Sequence, residues 1–102
     1  MSTLHTVNKS PFEHRTLASC ARVCLAGDGL LLLEDGVYGA LPSAPTDAAL
    51  KALSDRGVKL LALAEDVRAR GLEGRLAEGI QLTDYTGFVR LSCEHQTIQS
   101  WY

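Results

Sequence analysis

Two cysteines, Cys20 and Cys24, are the residues of this sequence best suited to covalent chemistry. They lie four positions apart in a segment that predicts a helix, so their side chains share one helical face with Leu17 and Ala21. On such a face a thiol is either a small core hydrophobe or a nucleophile that needs access and a raised thiolate fraction. Neither cysteine lies at a predicted helix N-terminus, where the helix dipole would favour the thiolate. Activation would therefore have to come from elsewhere in the fold or from a partner chain.

The remaining cysteine and the histidines do not complete a recognisable metal site. Cys93 and His95 are two positions apart on a predicted helix and therefore do not face each other. Their spacing from Cys20 and Cys24 matches no zinc pattern. His5 falls inside the first predicted strand, where we expect a local hydrogen bond rather than a catalytic role. The sequence accordingly predicts no metal site and no bound cofactor.

The predicted carboxyl ends of the strands, where open parallel sheets usually bind ligands, are acidic. They carry one base and five acids: Lys9, Glu34, Asp35, Glu65, Asp66 and Asp84. This edge would repel a phosphate, and no P-loop, G-x-G-x-x-G motif or nucleophile elbow follows a strand. Nucleotide binding and independent hydrolase activity are therefore disfavoured. We interpret Asp66 and Asp84 as helix caps and the other acids as solvated, with an acidic rim for a basic partner as the alternative.

Composition indicates a soluble globular protein. The chain has 102 residues, of which 46% are apolar and 22% charged, with a formal charge of −2, values typical of globular domains. The length predicts a single domain over residues 1–102. The 10 basic and 12 acidic side chains form no basic stripe, which argues against direct nucleic-acid binding. No apolar run approaches the ~20 residues of a membrane helix, and no secretory signal is visible, so the predicted location is cytoplasmic.

Short apolar runs alternate with helical patterns, which predicts a compact three-layer α/β domain with a mostly parallel sheet of about five strands. The predicted strands are Thr3–Val7, Leu30–Leu33, Lys59–Ala64, Gly79–Thr83 and Ile98–Tyr102. The predicted helices are 10–25, Asp47–Asp55, Glu65–Arg70 and Tyr85–His95. The first helix is predicted to begin at a capping box in Ser10-Pro11-Phe12-Glu13 and to stop at Gly27. The segment Gly27-Asp28-Gly29 precedes a strand and is interpreted as a turn.

Three stretches of the sequence together resemble the DsrH/TusB family of sulfur-relay subunits. They are Leu4-His5-Thr6 followed by Ser10-Pro11-Phe12, then Leu30-Leu31-Leu32-Leu33-Glu34-Asp35-Gly36-Val37, then Asp84-Tyr85-Thr86-Gly87-Phe88-Val89-Arg90-Leu91. The terminal Trp101 also fits, and the match spans nearly the whole chain with similar spacing. The cysteine-bearing helix is more similar to the DsrH branch of sulfur-oxidising bacteria than to the TusB branch, which acts in tRNA thiolation.

The resemblance implies a DsrEFH-like α/β subunit that assembles with DsrE/TusD-like and DsrF/TusC-like sister subunits into a heterohexamer. Such a complex carries sulfur as a cysteine persulfide and passes it to a DsrC/TusE-like carrier. Its main sulfur-carrying cysteine is expected on the DsrE/TusD-like subunit, so this chain is expected to be mainly a structural and docking subunit. Cys20 is its candidate for an accessory persulfide site. Apolar partner-binding surface is expected at 37–41 and at the tail around Trp101-Tyr102, with ordinary packing as the alternative.

Three functions stay open at this point. The leading hypothesis is a subunit of a cytoplasmic sulfurtransferase complex that serves dissimilatory sulfur oxidation. The first alternative is a TusB-like subunit of the relay for tRNA 2-thiouridine synthesis. The second alternative, from a different class, is a non-catalytic protein-interaction module without a sulfur role.

Overall fold

A computed structural model describes residues 2–102 of the chain. Its strands are β1 (Thr3–Val7), β2 (Gly29–Leu32), β3 (Lys59–Leu63), β4 (Ile80–Thr83) and β5 (Thr97–Trp101). Its α-helices are α1 (Thr16–Ala21), α2 (Asp47–Asp55), α3 (Ala64–Ala69) and α4 (Tyr85–Glu94), and a 3₁₀ helix spans Glu34–Ala40. All five strands are parallel and follow the order β4-β3-β2-β1-β5, which confirms the predicted fold class. None of these helices is long and apolar enough to cross a membrane.

The sheet is covered by helices on both faces, so the domain has three layers. Successive side chains of a strand point to opposite faces, and Leu30, Leu31 and Leu32 are all buried. The larger core joins β1, β2 and β3 to α1, α2 and α3. A smaller core on the other face packs Leu91 and Phe88 of α4 against the strands. Burial on both faces explains why the strand sequences read as continuous apolar runs rather than alternating ones.

The first helix is much shorter than predicted. Ser10 does not form a capping box with Glu13; its Oγ accepts a hydrogen bond from the N–H of Phe12 at 3.2 Å and closes a turn instead. The helix covers only Thr16–Ala21, with Leu17, Cys20 and Ala21 buried. Six residues are too few for intrinsic propensity to hold a helix, so tertiary packing decides where this one lies.

The predicted end of that helix is a loop that turns the chain toward β2. The Asp28 carboxylate accepts a hydrogen bond from the N–H of Leu25 at 2.9 Å, which holds the loop closed. Gly27 has the left-handed conformation expected of it, with φ +92°, but it lies in this loop rather than at a helix cap. The loop thereby places a carboxylate next to the start of β1.

Of the two alternatives predicted for the 37–41 segment, ordinary packing is the one found, and the segment is not an exposed partner surface. Val37 and Ala40 are fully buried and Leu41 nearly so. The 3₁₀ helix that carries them lies directly against the end of β1, where a Cβ on Gly36 would overlap the carbonyl oxygen of Val7. The apolar character of the segment therefore reflects packing within this chain.

Candidate functional site

β1, α1 and the turn that follows α1 bring together a histidine and two thiols. The ligand atoms of His5, Cys20 and Cys24 all lie within 4.8 Å of one another. The two Sγ atoms are 4.0 Å apart, and the Cys24 thiol donates to the carbonyl oxygen of Cys20 at 3.4 Å. Cys20 is 0% and Cys24 is 6% exposed. The predicted sharing of a helical face is wrong, because α1 ends at Ala21 and Cys24 lies in the turn that follows it. Both cysteines are nevertheless buried in the core.

Asp28 supplies a buried carboxylate to the same site. Its Oδ1 accepts a hydrogen bond from the N–H of Thr3 at 3.0 Å, and its Oδ2 accepts from the N–H of Leu25 at 2.9 Å and lies 3.1 Å from Nε2 of His5. Burial opposes ionisation, but the three hydrogen bonds outweigh it and lower the pKa of Asp28 below its ordinary value. Asp28 was not predictable as a site residue from the sequence, because a Gly-Asp-Gly turn gives no local sign that its carboxylate will be enclosed.

His5 connects this carboxylate to the tail of the chain. The indole N–H of Trp101 donates to His5 Nδ1 at 3.1 Å, and the two rings lie 6.2 Å apart. Because an indole N–H can only donate, Nδ1 is the acceptor, and the ring proton sits on Nε2 and points at Asp28. His5 is therefore hydrogen-bonded, but the predicted local partner is wrong, because its partners lie 23 and 96 positions away in the sequence.

The two thiols differ in their electrostatic surroundings. The hydrogen bond from Cys20 to Cys24, burial and the negative charge of Asp28 all raise the pKa of the Cys20 thiol. The same hydrogen bond lowers the pKa of Cys24, whose thiolate accepts it, against the opposing effects of burial and Asp28. Of the pair, Cys24 is the more readily ionised. The cluster thus offers two soft sulfur atoms, one imidazole and one carboxylate, with the sulfur atoms closed off from solvent.

The tail covers one side of the site. Trp101 is half-buried, while Tyr102 is 79% exposed. The backbone carbonyl of Tyr102 accepts a hydrogen bond from the hydroxyl of Thr16 at 3.2 Å, which links the chain end to the first residue of α1. The predicted exposed tail surface is therefore divided: Trp101 belongs to the site, and Tyr102 faces solvent.

Cys93 and His95 lie apart from this cluster. Cys93 lies in α4 and His95 is the residue directly after it, so both are on the opposite face of the sheet. Cys93 is exposed. His95 Nδ1 lies 3.1 Å from the hydroxyl of Ser2. These two residues form no group with Cys20 and Cys24, in agreement with the sequence analysis.

The acidic side chains at the carboxyl ends of the strands serve mainly to connect elements. Asp84 caps α4 by accepting a hydrogen bond from the N–H of Gly87 at 2.7 Å, as predicted. Asp66 does not cap its own helix; its carboxylate accepts from the N–H of Glu34 at 2.6 Å and so fastens α3 to the 3₁₀ helix. Arg70 pairs with Asp35 at 2.9 Å. The predicted cap is therefore confirmed for Asp84 and wrong for Asp66, and Asp35 is paired with Arg70 as well as exposed to solvent.

Comparisons with known proteins place the fold and the sequence among characterised relatives. A model of the family described as DsrH like protein matches residues 9–98. Over 98 residues the chain is 41% identical to the protein TusB of Escherichia coli K12, covering 96% of this chain and 99% of that protein. The ychN protein of Escherichia coli has a similar structure, with a TM-score of 0.83 at 14% identity and 98% and 99% of the two chains covered. A protein of unknown function from Methanobacterium thermoautotrophicum gives a TM-score of 0.72 at 18% identity, with 96% and 97% covered. At these identities the two solved structures establish a similar fold alone.

Proposed function

This chain belongs to the DsrH family, and from that premise we propose that it is a subunit of a cytoplasmic sulfur-relay complex that handles cysteine persulfide. The observation that carries the proposal is the match of the DsrH family model to residues 9–98. The 41% identity to TusB over nearly the full length of both proteins supports it independently. The chain acts mainly as a structural and docking subunit, since both thiols of its cluster are buried.

An exposed apolar pair on α4 supports a docking role. Tyr85 and Val89 are 64% and 53% exposed, and Tyr85 stacks edge-on against the half-buried Phe88 at 6.1 Å. Tyr85 and Val89 are one helical turn apart and therefore lie on the same face of α4. Exposed apolar side chains grouped on one face are typical of interaction sites. The partners we propose are DsrE/TusD-like and DsrF/TusC-like sister subunits, with a DsrC/TusE-like carrier as the acceptor of sulfur.

Cys20 is proposed as an accessory persulfide site of this subunit. The Cys20 thiolate would attack the outer sulfur of a donor persulfide, forming Cys20–S–SH and releasing the donor as a thiolate. Because Cys20 is 0% exposed and its pKa is raised, the reaction requires displacement of the layer above it, and the Thr16–Tyr102 contact is a natural point for that opening. Docking of a sister subunit against the tail would supply the opening.

Two destinations of the sulfur are supported by different observations. Dissimilatory sulfur oxidation is supported by the DsrH family model and by the cysteine-bearing helix. Synthesis of 2-thiouridine in tRNA is supported by the identity to TusB. Co-expression with each type of sister pair separates them, because the chain should assemble with the pair from its own pathway.

Native mass spectrometry of the co-expressed chains tests assembly. A complex that contains this chain and both sister subunits is the expected result, and Tyr85→Asp should weaken it. Val23→Asp is the matched control, since Val23 is 51% exposed but lies outside the α4 pair. A chain that stays monomeric in the presence of both kinds of sister pair would contradict the proposal.

Persulfide loading tests the site. After incubation of the complex with a persulfide donor, intact-mass analysis should show one added sulfur atom on this chain, and Cys20→Ser should abolish the addition. Cys93→Ser is the control, because that thiol is exposed and distant from the cluster. An adduct confined to Cys24 or Cys93 would refute the Cys20 assignment and leave the relay role intact. A chain that assembles but accepts no sulfur would favour the interaction-module alternative.

A further inference from the structure

The buried cluster of His5, Cys20 and Cys24 has the ligand types and the spacing of a metal site, and we propose that it binds one thiophilic divalent cation, with Zn²⁺ as its occupant. Imidazole nitrogen and thiolate sulfur are the preferred ligands of zinc in proteins. The three ligand atoms lie within 4.8 Å of one another and come from β1, α1 and the turn that follows it. This inference concerns a ligand of the chain itself and does not depend on the sulfur-relay role.

The distance between the two sulfur atoms is close to that of a tetrahedral zinc site. With Zn–S bonds of about 2.3 Å, two sulfur ligands at the tetrahedral angle stand roughly 3.8 Å apart. The Cys20 and Cys24 sulfur atoms are 4.0 Å apart. Small rotations of the two side chains are therefore sufficient to bind an ion between them.

The charge distribution around the cluster favours a cation. Asp28 is 5% exposed, and the side chain that its carboxylate contacts is the neutral imidazole of His5. A bare thiolate next to this carboxylate would suffer both desolvation and like-charge repulsion. A divalent cation with two thiolates is electrically neutral as a unit, and binding releases the two thiol protons to solvent. The Asp28 carboxylate then attracts the ion instead of opposing the ligands.

The His5–Asp28 pair also provides the outer support that metal-bound histidines need. A ligating histidine usually donates its second ring N–H to a carboxylate, which fixes the orientation of the ring. His5 Nε2 already lies 3.1 Å from the Asp28 carboxylate, and Nδ1 accepts the indole N–H of Trp101. Coordination through Nδ1 replaces the Trp101 bond and leaves Asp28 as the orienting group.

Cobalt titration of the full chain tests the proposal. The metal-free, reduced protein should bind one Co²⁺ per chain and show a thiolate-to-cobalt charge-transfer band with the d–d spectrum of a tetrahedral ion. Cys20→Ser and Cys24→Ser should each lower the intensity of the charge-transfer band, because one of two Co–S bonds is lost, and the double variant should lack the band; Cys93→Ser should leave it unchanged. Asp28→Asn should weaken Zn²⁺ binding about 10–100-fold, because Asp28 orients His5.

X-ray absorption on the zinc-loaded wild-type protein gives a test that needs no variant. Two sulfur scatterers at about 2.3 Å and nitrogen or oxygen at about 2.0–2.1 Å are expected. A coordination shell of nitrogen and oxygen alone would overturn the proposal. So would uptake of no cobalt by the folded protein, or a charge-transfer band of unchanged intensity in Cys20→Ser and Cys24→Ser.

Discussion

Replacement of Asp28 by asparagine tests the idea that its carboxylate holds the site together. The carboxylate accepts hydrogen bonds from the backbone N–H groups of Thr3 and Leu25 and from His5. Asparagine has the same shape but only one side-chain oxygen. If that oxygen serves Leu25 and His5, the amide N–H₂ faces the N–H of Thr3, so at least one of the three bonds is lost.

The expected loss of stability follows from the charge of the acceptor. A hydrogen bond to a charged group contributes about 1.5–3 kcal/mol, and the two retained bonds weaken to roughly 0.5–1.5 kcal/mol each because the new acceptor is neutral. Removal of a buried charge offsets part of this loss, since a buried ion carries a desolvation penalty of several kcal/mol. We expect Asp28→Asn to lower the free energy of unfolding by about 2 kcal/mol.

Urea denaturation followed by far-ultraviolet circular dichroism, with a chelator present, measures this change. Asp55→Asn is the matched control, because Asp55 is exposed; we expect its free energy of unfolding to stay within about 0.5 kcal/mol of the wild type. Equal stabilities of the Asp28 and Asp55 variants would refute the reasoning from hydrogen bonds.

The pH dependence of the same difference gives a second readout. The pKa of Asp28 is lowered in the folded protein, whereas the unfolded chain has the ordinary value of about 3.9. The carboxylate therefore contributes stability in full above about pH 4, and the contribution is lost as the pH falls through the folded value. The difference between the wild type and Asp28→Asn should be constant near neutral pH and should shrink below about pH 4. A difference that grows on acidification would mean that burial, and not hydrogen bonding, controls this carboxyl group.

Three further substitutions test the packing around the site. Trp101→Phe removes the indole donor and leaves the buried His5 Nδ1 without a partner. The free energy of unfolding measured in urea should fall by about 1–3 kcal/mol, and an unchanged midpoint would contradict this hydrogen bond. Leu17→Ala leaves a cavity at a fully buried position in the core that contains the thiols. The free energy of unfolding should fall by about 2–5 kcal/mol, and a loss under about 1 kcal/mol in thermal unfolding would mean that α1 is not firmly packed. Gly36→Ala places a Cβ against the carbonyl oxygen of Val7. The free energy of unfolding should fall by about 1–3 kcal/mol, and a melting temperature equal to that of the wild type would show that the 3₁₀ helix shifts freely.

The elements that follow from local pattern were predictable from sequence. β1 is found at Thr3–Val7 and α2 at Asp47–Asp55, with the predicted bounds. Strand β2 differs from its predicted range by one residue at each end, because a run of leucines buried on both faces carries no mark of where pairing stops. The predicted start of the first helix was wrong. The capping pattern at Ser10 competes with a turn closed by the Ser10 side chain, and only the tertiary structure selects between them.

The candidate site was only half predictable, for a related reason. The spacing of Cys20 and Cys24 predicts neighbouring side chains on one helix; the two thiols are neighbours, although α1 ends at Ala21. Asp28 and Trp101 enter the site through their contacts with His5, which span 23 and 96 positions of the sequence. These contacts depend on the parallel pairing of β1 with β2 and β5. No periodicity in one sequence reports such pairings, so the carboxylate and the indole donor became visible only in the folded chain.

Most of the residues that carry the family resemblance lie away from the two thiols, although His5 and Trp101 belong both to the resembling stretches and to the site. Gly36 and Gly87 allow close approach, since a Cβ on either would overlap Val7 or Thr83, and Asp84 caps α4. These residues maintain the scaffold, so similarity through them reports on the fold and the family. The two thiols lie in α1 and in the turn after it, close to His5 of β1. What the chain does with sulfur or with a metal ion depends on these two thiols. A relative that keeps the scaffold residues but lacks both thiols should therefore assemble normally and neither bind zinc nor carry sulfur.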